Sequence, residues 1–265
     1  KYLKKIYKNI PIIILENSQA VTAYSLSKIK NEFLNLGCDY IIIGDLENAS
    51  LELYNNLENK EYLKEINGVL SKNFENEKIN FVNNLDDLSF PAWEEFPIKN
   101  YWSLGYAHGP LSSEKYLPLL TSRGCPYPCN FCVVPKTNER KWRSRSPINI
   151  IEEIKYWKKE FDIKEFHFED LNPTVNDKRT KEFCNLLIDA DLKIKWKIVA
   201  GTKIESIKDD QTINLLAKSG CNYVSISPES GSEKVMKSIE KPFNYNHALK
   251  SVKKMNELKI YTQAC

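Results

Sequence analysis

Cys125, Cys129 and Cys132 stand in the run Thr-Ser-Arg-Gly-Cys-Pro-Tyr-Pro-Cys-Asn-Phe-Cys, a C-x3-C-x2-C pattern with Phe131 immediately before the last cysteine. Thiolates this close on one short loop reach a common soft metal centre, and iron–sulfur clusters are the usual occupants of such loops. Three ligands leave one iron of a four-iron cluster open. An electron carrier closes its cluster with a fourth cysteine, whereas an open iron invites a small molecule to coordinate. The other cysteines, Cys38, Cys184, Cys221 and Cys265, are all distant in sequence. A zinc knuckle needs a fourth ligand at short spacing, and His108 lies too far upstream. A disulfide framework fits poorly with an odd count of seven cysteines, three of them crowded together. Gly124, Pro126 and Pro128 mark loop chemistry rather than a buried structural run.

Composition narrows the setting. The chain has 265 residues, 42% hydrophobic and 28% charged, a globular profile that argues against disorder. Net charge is +3, from 38 Lys plus Arg against 35 Asp plus Glu, so no bulk attraction to nucleic acid or a membrane surface follows. No apolar run approaches the roughly 20 residues that span a bilayer, and a cytoplasmic protein without a membrane span is expected. The chain starts at Lys1 and stops at Cys265 inside an expected strand, so truncation at both ends is expected too.

The elements that must position the cysteines fall into two α/β stretches. The apolar run Ile12 to Leu15 reads as a buried parallel strand, Leu26, Ile29, Phe33 and Leu36 as a helix stopped by Gly37, Tyr40 to Ile43 as a second strand, and Leu51, Tyr54 and Leu57 as the stripe of a second helix. This alternation predicts a partial doubly wound fold, flavodoxin- or Rossmann-like, over residues 1–59. Its ligand loops would be residues 16–22 and 44–49, beyond the strands' carboxyl ends. Residues 60–118 read as a hairpin, 68–72 against 79–83, followed by a flexible Pro-bearing connector that includes His108. Residues 119–265 read as the first five strands of a partial (β/α) barrel. Ser146-Pro147 opens a helix striped by Ile148, Ile151, Ile154, Trp157 and Phe161. Strands follow at residues 165–169, 194–198, 223–227 and from Ile260, with Trp157 and Trp196 in the core. In such a barrel functional residues gather at the carboxyl ends of the strands. Those ends are the cysteine loop, Glu169-Asp170, residues 200–203 and residues 227–231.

The cysteine loop resembles the signature of the radical S-adenosylmethionine (SAM) superfamily, including the aromatic residue before its third cysteine. The resemblance implies a 4Fe-4S cluster on Cys125, Cys129 and Cys132, with SAM at the open iron. It implies reductive cleavage of SAM to a 5′-deoxyadenosyl radical that takes a hydrogen atom from an unactivated carbon. Phe131 would then lie against adenine. Phe-Glu-Asp-Leu-Asn-Pro-Thr (168–174) is similar to the family segment whose acids seat the SAM amino group, which points to Glu169 and Asp170. Ser-Pro-Glu-Ser-Gly-Ser (227–232) resembles the segment near ribose and the methionyl group, which points to Ser227, Glu229 and Ser230. Lys203 stands where the family often carries an arginine, and Ser232 reads equally as a helix cap.

The whole arrangement, an α/β domain, the Pro-Ala-Trp connector (91–93) and the cysteine loop, resembles the cobalamin-binding radical SAM class. That resemblance implies corrin contacts at Ser18, Gln19, Gly44 and Glu47, and methyl transfer as the commonest outcome, with ring formation or rearrangement as the minority one. It also implies a small-molecule or peptide substrate and an electron donor such as flavodoxin or ferredoxin. A methylthiotransferase shares the Cys-Val-Val-Pro and Arg-Ser-Arg runs (132–135 and 143–145), but its N-terminal domain brings three further cysteines, and only Cys38 precedes Cys125. A non-catalytic cluster or cobalamin module is the reading from another class. The basic stretch Lys136, Arg140, Lys141, Arg143 and Arg145 around Trp142 reads as a solvated loop, with nucleic acid the less favoured partner. Replacing any one of Cys125, Cys129 or Cys132 with Ala is expected to abolish four-iron cluster binding, while Cys184→Ala and Cys221→Ala leave it intact. Iron and sulfide content after anaerobic reconstitution checks this, and full iron in Cys129→Ala would refute the ligand assignment.

Overall fold

The computed structural model describes residues 2–19 and 25–265. Two compact units emerge, one formed by the chain up to Asn83 together with Gly124–Lys141, the other by Asn84–Arg123 with Trp142–Cys265.

In the first unit, β1 (Ile13–Leu15) runs parallel to β2 (Tyr40–Ile42), and β2 pairs antiparallel with β3 (Val69–Ser71). The strands are apolar on both faces because helices cover both. Ile41, Ile43 and Leu70 pack with Leu26 and Leu34 of the helix Leu26–Asn35, while Ile42 and Val69 pack with Ala49 and Leu53 of the helix Leu46–Asn55. Gly37 follows the first helix at φ +103, a conformation that stops a helix at little cost for glycine. Two expectations are corrected. The run 68–72 joins β2 as a third strand instead of pairing with 79–83, whose Asn80 forms only an isolated bridge with Gly44. Leu51 and Tyr54 are exposed, and Ala49 and Leu53 face the sheet in their place. Both lines have helical spacing, so periodicity alone did not choose between them.

The second unit carries β4 (Tyr116–Leu119), the short antiparallel pair β5 (Ser122–Arg123) and β6 (Arg143–Ser144), then β7 (Glu165–Phe168), β8 (Lys195–Thr202), β9 (Cys221–Ile226) and β10 (Tyr261–Ala264). The five long strands form one parallel sheet in the order β10-β9-β8-β7-β4. Helices Pro147–Phe161, Asp177–Ala190, Asp210–Lys218 and Tyr245–Glu257 alternate with them, the strand–helix succession expected of a partial barrel. Ser146, Asn176, Asp209, Ser232 and Asn244 each accept a backbone N–H at a helix start. One sheet face is apolar: Phe166, Phe168, Trp196, Ile198 and Val224 pack with Trp157, Phe183 and Leu216 from the helices. In the first of these helices Ile148 is exposed and Ile150 is buried, so the stripe is offset from the expected one at its start.

The other sheet face is polar and still buried. Lys197 Nζ lies 2.8 Å from Glu165 Oε1, with both side chains fully covered. The same ammonium donates to the carbonyls of His108 and Pro110 at 3.1 and 2.7 Å. Ser112 N–H donates to Glu165 Oε2 at 2.7 Å, joined by the Ser112 hydroxyl. His167 Nε2 meets Glu165 Oε1 at 2.7 Å, and its ring stacks on Tyr116 with centroids 4.8 Å apart. Gly109, at φ +63, passes so close that a Cβ would fall 2.3 Å from the Tyr223 ring. Far from being a flexible connector, residues 108–112 are fastened across this face by a buried ion pair. Such a pair is costly to desolvate, and removing one partner strands the other.

Burial alone would raise the Glu165 carboxyl, but hydrogen bonds from His167, Lys197 and Ser112 outweigh it and bring it from 4.5 down to about 2. A depressed carboxylate stabilises the fold above the unfolded pKa, and that contribution is lost as pH falls through the folded one. His167, pushed below its ordinary 6.5 chiefly by burial, acts in the same direction from a higher pH. Between pH 4.5 and 2 the Glu165 contribution, about 3 kcal/mol, is expected to disappear. Urea unfolding across this range checks it: Glu165→Gln is expected to be less stable at pH 7 and to lose less on acidification. An equally steep acid loss in that variant would discard the attribution.

Candidate functional site

The cysteine loop belongs to the first unit. Cys38, Cys184 and Cys221 are buried thiols, whereas Cys125, Cys129 and Cys132 are all partly exposed on irregular backbone. Burial pushes the Cys184 thiol up to about 12 and the Cys221 thiol higher still, which makes both poor thiolate ligands. Cys132 N–H donates to the Cys129 carbonyl at 3.2 Å, turning the chain between those two cysteines. Phe131, just before the third cysteine, is 57% exposed. Among the described residues no three His, Cys, Asp or Glu side chains converge on a single ion. A four-iron cluster does not require such convergence, because each thiolate binds its own iron at a separate corner. Three accessible thiols on one turn-rich loop fit that donor set.

The neck of the loop is closed tightly. Gly124 sits at φ +79, where a Cβ would lie 2.0 Å from the Lys141 carbonyl, and Lys141 N–H donates to the Asn138 carbonyl at 2.8 Å. Ser18 and Gln19, at the end of β1, hold this neck. Gln19 Oε1 accepts from Gly124 N–H at 2.9 Å, Gln19 Nε2 donates to Asn138 Oδ1 at 3.1 Å, and Asn138 Nδ2 donates to the Ser18 carbonyl at 2.5 Å. Of the expected ligand loop 16–22, residues 20–22 lie outside the described residues. Glu16 is buried and accepts from Leu26 N–H at 2.9 Å and Gly44 N–H at 3.1 Å, burial being the main influence that raises its pKa. Gly44, at φ +87, faces the Asn80 carbonyl where a Cβ would be, and Asp45 accepts from Val82 N–H at 2.7 Å. Glu47 is exposed in the first turn of the following helix.

In the second unit the strand ends form a row. Asp170, after β7, is fully buried and its oxygens are taken: Thr121 N–H at 3.0 Å, Thr121 Oγ1 at 2.7 Å and Ser122 Oγ at 2.6 Å. Burial pushes its pKa up, against these hydrogen bonds. Arg179 donates to the Thr121 carbonyl at 2.7 Å and to the Arg145 carbonyl at 2.8 Å, and Arg145 pairs with buried Glu153. Glu169 is placed differently. Its carboxyl is raised chiefly by burial, with His108 pulling the other way, and no hydrogen bond reaches it among the described residues. It lines a 610 Å³ cavity walled by Trp93, Phe96, Tyr101 and Tyr116, and also a 360 Å³ cavity beside Arg145.

The remaining expected contacts are engaged within the protein. Lys203 donates to the Pro242 carbonyl and lies 3.1 Å from Glu205. Ser227 Oγ donates to the Gly201 carbonyl at 2.7 Å, and a Cβ on Gly201 would sit 1.8 Å from that hydroxyl. Glu229, at φ +57, pairs with Lys241 at 2.5 Å. The Ser230 carbonyl accepts from Tyr245 Oη at 2.5 Å, and Ser232 caps its helix. Sequence reasoning missed Asn172, whose buried Oδ1 accepts from Thr202 at 2.6 Å and Ser206 at 3.2 Å, and Arg179, a lone cation on an otherwise apolar helix line. The basic stretch is largely absorbed: Lys141 pairs with Glu139 at 2.6 Å, and Trp142 Nε1 donates to the Asn172 carbonyl at 3.0 Å. Among the described residues no helix is long and apolar enough to cross a membrane.

Comparison with known proteins places these features. Residues 119–264 match the model of the Radical SAM superfamily. The chain is 28% identical over 185 residues to a cytidylyl-2-hydroxyethylphosphonate methyltransferase of Streptomyces wedmorensis, covering 69% of this chain and 34% of that protein. It is 29% identical over 160 residues to an anaerobic magnesium-protoporphyrin IX monomethyl ester cyclase of Rubrivivax gelatinosus, covering 60% of this chain and 28% of the cyclase. The chain thus spans between 28% and 58% of the length of the curated relatives it matches. Its fold is similar to that of the cobalamin-dependent S-adenosylmethionine radical enzyme OxsB with aqua-cobalamin bound. There the TM-score is 0.75 at 19% identity, over 99% of this chain and 37% of the other.

Asp170→Asn would turn a donor, the amide Nδ2, toward the Thr121 and Ser122 donors. It is expected to destabilise the fold by about 1–3 kcal/mol and to lower iron uptake. Thermal unfolding with iron analysis checks this, and a variant unchanged in both would show that Asp170 does not hold the root of the loop.

Proposed function

This chain belongs to the radical SAM superfamily, and from that premise we propose that the protein it comes from is a cobalamin-dependent methyltransferase acting on an unactivated carbon. The observation that carries the reading is the three-cysteine loop, packed in one compact unit with the α/β sheet of β1, β2 and β3. When bound, the cluster and SAM supply the radical chemistry at carbon, and cobalamin supplies the methyl group. The chain's own residues bind and orient. Cys125, Cys129 and Cys132 hold the cluster, with Phe131 beside the adenine of SAM. Glu169 offers its carboxylate to the SAM amino group, while Asp170 acts one step back by fixing Thr121 and Ser122. Lys203, Ser227, Glu229 and Ser230 line the same row of strand ends and complete the SAM contacts. Ser18, Gln19, Gly44 and Glu47 border the corrin side.

The 610 Å³ cavity next to Glu169 is of ligand size, and its aromatic walls suit a largely apolar substrate that excludes water from the reacting carbon. A cytoplasmic setting with flavodoxin or ferredoxin as electron donor completes the proposal. Ring closure is the second reading, favoured by the similarity to the magnesium-protoporphyrin ester cyclase.

The test is anaerobic reconstitution of the full-length protein with reductant and SAM. Formation of 5′-deoxyadenosine supports the enzyme reading and its absence ends it. A corrin absorbance spectrum in protein purified with cobalamin decides the second cofactor. Glu169→Gln is expected to weaken SAM binding about tenfold or more, the loss typical of a charged hydrogen bond. Unchanged SAM affinity would remove Glu169 from the site.

A further inference from the structure

We infer that Gln19 and Asn138 are positioning residues that set the seat of the cluster-bearing loop, so that the N-terminal sheet acts on the cysteines through two amide side chains. The inference rests on the reading that this loop holds a cluster.

Residues 124–141 carry all three cysteines, and their ends meet at a neck where Gly124 lies against the Lys141 carbonyl. A primary amide is suited to this neck because it offers an acceptor and a donor side by side. Gln19 uses both: its oxygen takes the Gly124 N–H, one residue before Cys125, and its nitrogen reaches Asn138 Oδ1, on the returning arm. Asn138 is fully buried and returns the contact to the Ser18 carbonyl and to Thr137 Oγ1 at 3.1 Å. Four groups are satisfied in a closed ring, and both arms of the loop are tied to the end of β1. A partly satisfied buried polar network costs more than it gives, so loss of one member is felt by the rest. Residues that orient ligands without touching the metal typically govern its retention.

The two side chains can be distinguished from mere fold stabilisers. Gln19→Ala removes both contacts. Gln19→Glu keeps the acceptor for Gly124 N–H but sets a second acceptor against Asn138 Oδ1. In the full-length protein after anaerobic reconstitution, Gln19→Ala is expected to lose iron to EDTA about ten- to a hundred-fold faster than the wild type. Its reduced-state electron paramagnetic resonance spectrum is expected to broaden, with an unfolding midpoint close to the wild-type value. Gln19→Glu and Asn138→Ala are expected to fall between the two. Without any cluster, N-ethylmaleimide should alkylate Cys125 faster in Gln19→Ala than in the wild type, a readout independent of cofactor and activity. Wild-type rates and spectra in Gln19→Ala, or equal alkylation in the apo protein, would overturn the inference. A wild type that forms no 5′-deoxyadenosine would instead refute the functional proposal and leave the alkylation comparison to judge the clamp.

Discussion

A single buried carboxylate organises the ends of the barrel strands. Asp170 sits where β7 stops, with no exposure to solvent, and its oxygens take two hydroxyls and a backbone N–H from Thr121 and Ser122. A charge removed from water is tolerable only when it is hydrogen-bonded this fully. Satisfying it fixes the segment that runs directly into the cysteine loop. Arg179 binds the carbonyls of Thr121 and Arg145, so the outgoing and returning arms are held by one guanidinium as well. The loop can stay irregular and accessible because its root is not.

The same logic shapes the sheet that carries these ends. Its helix-facing side is a conventional apolar core, whereas its other side buries Glu165, His167 and Lys197. Connector carbonyls of His108 and Pro110 accept from Lys197 and the connector's Ser112 donates to Glu165, so the connector is drawn across the sheet. The connector contributes Trp93, Phe96 and Tyr101 to the cavity that ends on Glu169. A segment of loose pattern in the sequence thus becomes a wall of the cavity, with Trp93 and Tyr101 on two short helices, Trp93–Glu95 and Ile98–Leu104, and residues 108–112 held by the buried ion pair.

Within the acidic pair after β7, the two carboxylates divide the work. Asp170 points into the protein and is consumed there, while the Glu169 carboxyl is partly buried, accepts no hydrogen bond among the described residues, and is raised chiefly by desolvation. A carboxyl in that state is poised to gain from a cationic group that enters beside it. The neighbouring strand ends are more occupied: the Lys203 ammonium, the Ser227 hydroxyl and the Glu229 carboxylate all have partners within the chain.

The sequence by itself determined most elements of the barrel unit and the three-cysteine motif. Helix caps at Ser146, Ser232 and Asn244, the alternation of β7, and the C-x3-C-x2-C spacing are local properties, and local properties are what residue order encodes directly. The order of the barrel strands followed because strand–helix–strand units place successive parallel strands side by side. What only the tertiary structure decided was which of two equally spaced lines on a helix is buried, as with Ala49 and Leu53 against Leu51 and Tyr54. It also decided that residues 68–72 extend the first sheet, that Asp170 faces inward while Glu169 lines a cavity, and that Gln19 reaches Gly124 and Asn138 more than a hundred positions away. Each of these depends on which distant polar group or apolar face is available to complete a contact. A hydrogen bond or a buried surface is a property of the pair, and the sequence near either member does not contain the other.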